Sequence, residues 1–193
     1  GINNHHNELR WSDENPHATV ESNFQHRFSI NVWCGMINNQ LLGPIVLDGR
    51  LTADIYLQFL QNRLTDLLDD VPLDIRHNMY FQLDGGPAHF SNIVRNYLDN
   101  HFPRRWIGRG GPQNWPPRSP DLTPLDYCLW GWLKSLVYAT KVQTREELLD
   151  RIVNSAAVIR NDQRALQRAT RAFQKRASKC IEVGGGIFEN ILH

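Results

Sequence analysis

Two aspartates stand where the chain could hold them out for chemistry. In YFQLDGGPAHF, Tyr80–Phe90, a strand-like run ends on Asp84 and breaks into Gly85-Gly86-Pro87, with His89 five positions on. In WPPRSPDLTPLDYCLWGWLK, Trp115–Lys134, Asp126 falls in the first turn of an expected helix, where Thr123 suits the N-cap and Pro124 the first helical position. Asp126 has two readings. It completes a capping box at the positive end of the helix dipole, or it faces Asp84 across a ligand site. The second has a physical basis, because ligands of open α/β sheets bind beyond the carboxyl ends of the strands. Facing carboxylates suit a hard divalent cation such as Mg²⁺. Two such ions about 3.5–4 Å apart promote phosphodiester chemistry by activating the attacking oxygen and stabilising the leaving one.

The elements that would position these acids follow from pattern. Arg27–Ile37 and Leu41–Gly49 read as strands joined by a turn at Asn38-Asn39-Gln40. Thr52 caps an expected helix with Ile55, Phe59, Leu60, Leu64, Leu67 and Leu68 at helical spacing, ending near Asp69-Asp70 and Pro72. Asn78–Asp84 is the third strand. Ser91 caps a helix carrying Val94, Tyr97 and Leu98, which Pro103 closes, and Arg104–Gly108 is a short strand before a Gly- and Pro-rich loop. A helix over 125–138 follows. The capping box Thr144–Glu147 then opens a helix with Leu148, Leu149, Ile152, Val153, Ala156 and Ile159 inward, and a last amphipathic helix runs from Gln163 to Cys180. Antiparallel strands followed by alternating strands and helices imply a mixed sheet flanked by helices.

Bulk properties narrow the class. A chain of 193 residues, 41% hydrophobic and 21% charged, has the composition of a globular domain. Its net charge of +1 gives no global attraction to nucleic acid, so local charge must decide. Cys34, Cys128 and Cys180 are scattered, which argues against a zinc site or a disulfide framework. No apolar run reaches the roughly 18–20 residues that span a bilayer, so no membrane partner is expected. The start at Gly1 reads as that of a fragment.

Two stretches carry a resemblance. FQLDGGPAHFSN and NWPPRSPDLTPLDYCLWGWLK resemble the catalytic core of the mariner-like DDE/D transposases of arthropod type, and VWCGMINNQLLGPIVLDGRLTADIYLQFL resembles the segment between that family's first two acids. The likeness runs from about Trp11 to Ile159. It implies an α/β ribonuclease-H-like mixed sheet flanked by helices, with the first catalytic strand missing and a helical C-terminal extension. Residues 1–160 would be the partial catalytic domain, and 161–193 a basic helix and tail. Three carboxylates with two Mg²⁺ or Mn²⁺ ions would cut DNA at transposon ends and join it to a target, in the nucleus and as a homodimer in the full-length protein. By position, Asp84 matches the second acid and Asp126 the third, 126 − 84 = 42 positions apart. Asp121 matches a non-ligand aspartate of the motif. The first acid has no match: Asp13 and Glu14 align with a later loop and are read as loop acids. The fragment would then be an incomplete nuclease. The alternatives are a catalytically dead, transposon-derived DNA-binding or interaction domain, and an unrelated hydrolase of RNA or RNA–DNA hybrid.

Other residues could serve the same site. His89 could orient a carboxylate, a water or a phosphate, or could be an ordinary neighbour of a helix cap. Arg104, Arg105, Arg109 and Arg118 form a basic run before Asp126 with no acid among them. Arg164, Arg168, Arg171, Lys175 and Lys179 line one face of the last helix, opposite Leu166, Ala169, Phe173 and Cys180. Both patterns fit phosphate-backbone binding, and the helical stripe equally fits a solvated face. Trp115 is the aromatic expected to contact DNA or a partner, while Trp130 and Trp132 are expected in the core.

Overall fold

The computed structural model describes residues 29–116 and 119–192. Asp13, Glu14 and Arg118 lie outside them. Strands β1 (Asn31–Ile37) and β2 (Gln40–Leu47) form an antiparallel hairpin around Asn38-Asn39, with Asn38 at φ 52°. The helix expected from Thr52 to Leu68 is interrupted at Arg63, giving α1 (Ala53–Asn62) and α2 (Leu64–Leu68). A helix that the pattern did not announce, α3 (Leu73–Asn78), follows Pro72 and leaves β3 as Phe81–Gln82. Then come α4 (Asn92–His101), β4 (Trp106–Gly108) and β5 (Gln113–Asn114), the last a short strand inside the Gly- and Pro-rich loop. The C-terminal half is helical: α5 (Trp130–Val137), α6 (Arg145–Asn161) and α7 (Gln163–Glu182).

Instead of one continuous sheet, the strands make two ladders, β1–β2 and a parallel β3–β4–β5. The alternation of β1 shows how helices cover them. Cys34 is buried in one core with Leu129, Leu133, Ile152, Ile159 and Leu166, and Val32 and Met36 pack there too. Trp33 packs the opposite way, onto a second core built from Tyr56, Leu60, Leu64, Val94, Leu98 and Trp106. Successive strand residues point to opposite faces, so the hairpin is apolar on both sides and separates α1, α2 and α4 from α5, α6 and α7. That layering explains why NVWCGMI reads as an almost unbroken apolar run.

Capping follows local chemistry where nothing competes. Thr52 Oγ1 accepts from the Ile55 N–H at 3.3 Å, and Thr144 Oγ1 accepts from the Glu147 N–H at 3.0 Å. Glu147 reaches back to the Gln143 N–H at 2.6 Å, which together with Arg151 holds its carboxyl below the usual range. Ser91 occupies its N-cap position, but its hydroxyl donates to Ala88 O at 3.2 Å instead of capping α4. Val153, expected inward on α6, is 54% exposed, while Ser155 is buried in that helix.

Arg151 closes the end of α5. Its guanidinium donates to Val137 O at 3.0 Å, Thr140 O at 2.7 Å and Lys141 O at 3.3 Å, and it pairs with Glu147 at 2.6 Å. Replacing Arg151 by Met leaves those carbonyls without their donor and lowers stability by about 2 kcal/mol. The check is a reduced urea midpoint at unchanged slope.

Candidate active site at the end of β3

β3 is short but firmly placed. It pairs with β4 through Phe81 opposite Trp106 and Gln82 opposite Ile107, and the Leu83 N–H extends the ladder to Ile107 O at 2.8 Å. Phe81 and Leu83 turn into the second core. Strand period puts Gln82 and Asp84 on the other face. Gln82 donates from Nε2 to Thr123 Oγ1 at 3.4 Å, tying the segment that opens Asp126's helix to the strand that ends in Asp84.

That bond explains how Asp126 is presented. The expected capping box at Thr123 does not form, and no side chain caps this turn. The Thr123 hydroxyl is engaged by Gln82, and Leu125–Leu129 winds as a wide π turn before α5 begins at Trp130. Single π turns inside helices are frequent at functional sites. Asp126 is exposed and lines the same cavity as Asp84.

The loop after β3 holds Asp84 from two sides. His89 Nδ1 hydrogen-bonds Asp84 Oδ1, and the Gly86 N–H donates to the same oxygen at 2.9 Å. The imidazole rests on the buried Tyr56 ring, centroids 4.4 Å apart. A Cβ on Gly86 would lie 3.0 Å from Asp84 Oδ1 and 3.2 Å from His89 Nδ1, so a side chain here would press on the pair. Among the described residues, the other Asp84 oxygen and both Asp126 oxygens take no hydrogen bond.

The two acids titrate in opposite directions. The His89 contact lowers the Asp84 pKa, partly offset by burial and helped by the Gly86 N–H. Partial desolvation at the cavity first, and then the Asp84 charge, raise Asp126, against a smaller lowering by Lys134. The two carboxylates are thus near enough to repel, and a divalent cation held between them would relieve that repulsion. Hard oxygen donors from two carboxylates, completed by water, are what Mg²⁺ takes. The residues present fit such an ion. Among the described residues no group of three or more His, Cys, Asp or Glu converges as a metal site.

The cavity has a volume of about 420 Å³ and runs between β1 and β3. It is lined by Asn31–Ile37 and Tyr80–Asp84, together with Tyr56, Leu64, Leu68, Thr123–Asp126 and Trp130. β1 pairs only with β2, and β3 only with β4, so the edges facing this slot have no strand partner among the described residues.

The remaining residues singled out by sequence fall into two groups. Arg104 (φ 60°), Arg164, Arg168, Arg171 and Lys175 are exposed, with Lys175 also donating to Leu192 O. Arg109 is exposed and stacks its guanidinium 4.2 Å above the Phe90 ring, one residue from His89. Others brace the fold. Arg105 donates to Arg76 O and Met79 O, both at 3.3 Å, and Trp115 makes an offset stack with Phe173 of α7, ring centroids 6.4 Å apart. Lys179 pairs with Glu182 at 2.6 Å. Trp130 and Trp132 pack against the first core. Asp121 contributes its backbone carbonyl to Arg176. Sequence reasoning missed Tyr56 and Arg176. Arg176 had a signal, for it is a cation in the 169, 173, 176, 180 register of the apolar face of α7.

Helices on both sides of paired strands give a ribonuclease-H-like fold, the class that the similar solved structures share. The chain belongs to the DDE superfamily endonucleases, whose family profile matches residues 3–149. It is 28% identical over 111 residues to the Transposable element Tc3 transposase of Caenorhabditis elegans, covering 58% of this chain and 30% of that protein. The chain therefore spans less than a third of that curated relative. Among solved structures it resembles the Mos1 mariner paired end complex with Mn (TM-score 0.67, 21% identity, 94% of this chain and 52% of that one). It also resembles the Mos1 transposase catalytic domain with Raltegravir and Mg (TM-score 0.64, 22% identity, 79% and 73%). At these identities the structural likeness establishes the fold.

Proposed function

We propose that this chain is the catalytic part of a transposase that cuts and rejoins DNA using Mg²⁺ or Mn²⁺. It acts on transposon ends and target DNA in the nucleus, as a homodimer. The observation that carries the reading is the pairing of Asp84 and Asp126 in one cavity, close enough for the first to raise the pKa of the second. When bound, the metal supplies charge stabilisation to the attacking and leaving oxygens of a phosphodiester. The chain's own residues position the donors and favour the ionised form of Asp84. His89 and Gly86 engage one oxygen of Asp84 and leave the other as the donor, and Gln82 ties the helix start to the strand end. Arg109, fixed on Phe90, presents a cation beside this cluster for the phosphate backbone. Arg104, Arg164, Arg168, Arg171 and Lys175 extend the basic surface. The family's first acid would enter on a further strand in the slot between β1 and β3, whose edges have no strand partner there among the described residues.

The test is thermal unfolding of this chain with and without Mn²⁺, for the parent, Asp84→Asn and Asp126→Asn. An ion at about 100 times its dissociation constant stabilises by roughly 2.7 kcal/mol. Stabilisation of the parent, abolished by both substitutions, is the expected result. A parent indifferent to Mn²⁺ would overturn the metal site. That result would favour a second reading, a DNA-binding domain that does not cut.

A further inference from the structure

The acid-bearing turn is held from behind by the C-terminal helix and tail. Arg176 is largely buried, its side chain 16% exposed, although it sits on a helix otherwise studded with solvated cations. Its Nη1 donates to Asp121 O at 2.8 Å and pairs with Glu189 Oε1 at 3.1 Å, while the guanidinium lies 4.1 Å above the Tyr127 ring. Tyr127 is the neighbour of Asp126 inside the π turn, and its hydroxyl donates to Ala169 O on α7 at 2.7 Å. The tail that delivers Glu189 is anchored by Phe188, which is 1% exposed, and by the Lys175 bond to Leu192 O. One planar cation thus joins the segment before Asp126, the residue after it and the tail. An arginine suits this junction because its flat fork can stack on a ring and donate in its plane at once.

We propose that Arg176 is a positioning residue for the metal site, and that the tail residues Phe188 and Glu189 lock it in place. Asp126 lies on a wide turn that no side chain caps, so its placement depends on this external brace. The inference rests on the reading of Asp84 and Asp126 as metal donors. It makes the tail a part of the active-site support, though the tail supplies no ligand.

The experiment compares the parent chain with Arg176→Met, Arg176→Lys and Glu189→Gln. Mn²⁺ affinity is measured by electron paramagnetic resonance, and amide hydrogen exchange is followed by residue. The expected result for Arg176→Met is an affinity for Mn²⁺ lower by about 10-fold, the usual scale for losing a group that orients a ligand. Exchange should accelerate over residues 123–129 and stay unchanged in α1 and α4. Arg176→Lys recovers part of the affinity, because it keeps the cation and a donor but not the stacked plane. Glu189→Gln, at an exposed acid, gives a smaller loss in the same direction with the fold intact. If the parent binds Mn²⁺ and Arg176→Met binds it equally well, or if exchange accelerates throughout the chain, the positioning role is overturned while the metal site stands. If the parent does not bind Mn²⁺, the metal reading itself falls, and this inference falls with it.

Discussion

Asp84→Asn and Asp126→Asn should each reduce DNA strand cleavage by about 10³-fold in protein that carries the whole site. A bound metal contributes several kcal/mol of transition-state charge stabilisation, and about 4 kcal/mol corresponds to three powers of ten in rate. The measurement is single-turnover nicking of a transposon-end duplex with Mg²⁺, and either variant keeping a tenth of the parent rate would remove that residue from the ligand set. Without metal, the same substitutions should separate in sign. The Asp84 pKa is lowered, so its ionised form stabilises the fold above the ordinary carboxylate value, and that contribution disappears as pH falls through its own lower pKa. The Asp126 pKa is raised, so its ionised form opposes folding at neutral pH, and the opposition fades as the pH falls and the group protonates. At pH 7 and without metal, Asp84→Asn should therefore lower the unfolding midpoint, while Asp126→Asn should leave it unchanged or raise it. A lower midpoint for Asp126→Asn would mean that this acid supports its helix after all.

Trp106→Ala should destabilise the chain by about 3–5 kcal/mol, the range for emptying a large buried aromatic site. Trp106 is 1% exposed, sits opposite Phe81 in the ladder that carries Asp84, and donates from Nε1 to Asp99 Oδ1 at 2.8 Å. Its six-membered ring also sets the backbone path of the following loop. A Cβ on Gly111 would come within 2.6 Å of that ring, so only glycine fits there. Denaturant unfolding at constant slope is the measurement. Trp106→Phe, which keeps most of the ring volume and loses the hydrogen bond, should recover more than half of the loss. An alanine variant within 1 kcal/mol of the parent would show that β4 does not depend on this side chain.

Much of the fold could be read locally. Thr52 and Thr144 cap their helices because the capping donor lies three residues away and nothing else competes for the hydroxyl. The apolar spacing of Val94, Tyr97 and Leu98 fixed the inner face of α4 for the same reason, and all three are buried. The reading failed where a distant group intervened. Thr123 looks like the other two threonines in sequence, yet Gln82, 41 positions away, takes its hydroxyl. Val153 matched an inward register on α6, but the face that packs against α5 and the hairpin runs through Leu148, Ile152, Ser155, Ala156 and Ile159. α3 has no counterpart in the sequence pattern because its six residues carry no buried apolar stripe to signal a helix.

The sequence by itself determined the family, the two acids with their loop and helix start, and the basic character of α7. Those features depend on residue types at short separations, which is the information a linear pattern carries. Only the tertiary structure decided what surrounds the acids. It brought His89 and Gly86 onto one oxygen of Asp84, stacked His89 on Tyr56, and turned Arg176 inward onto the Tyr127 ring while its helical neighbours remained in solvent. The reason is that the competition for each hydroxyl, carbonyl and guanidinium is settled by groups far away in the chain, and only the packing of the layers brings them within hydrogen-bonding distance.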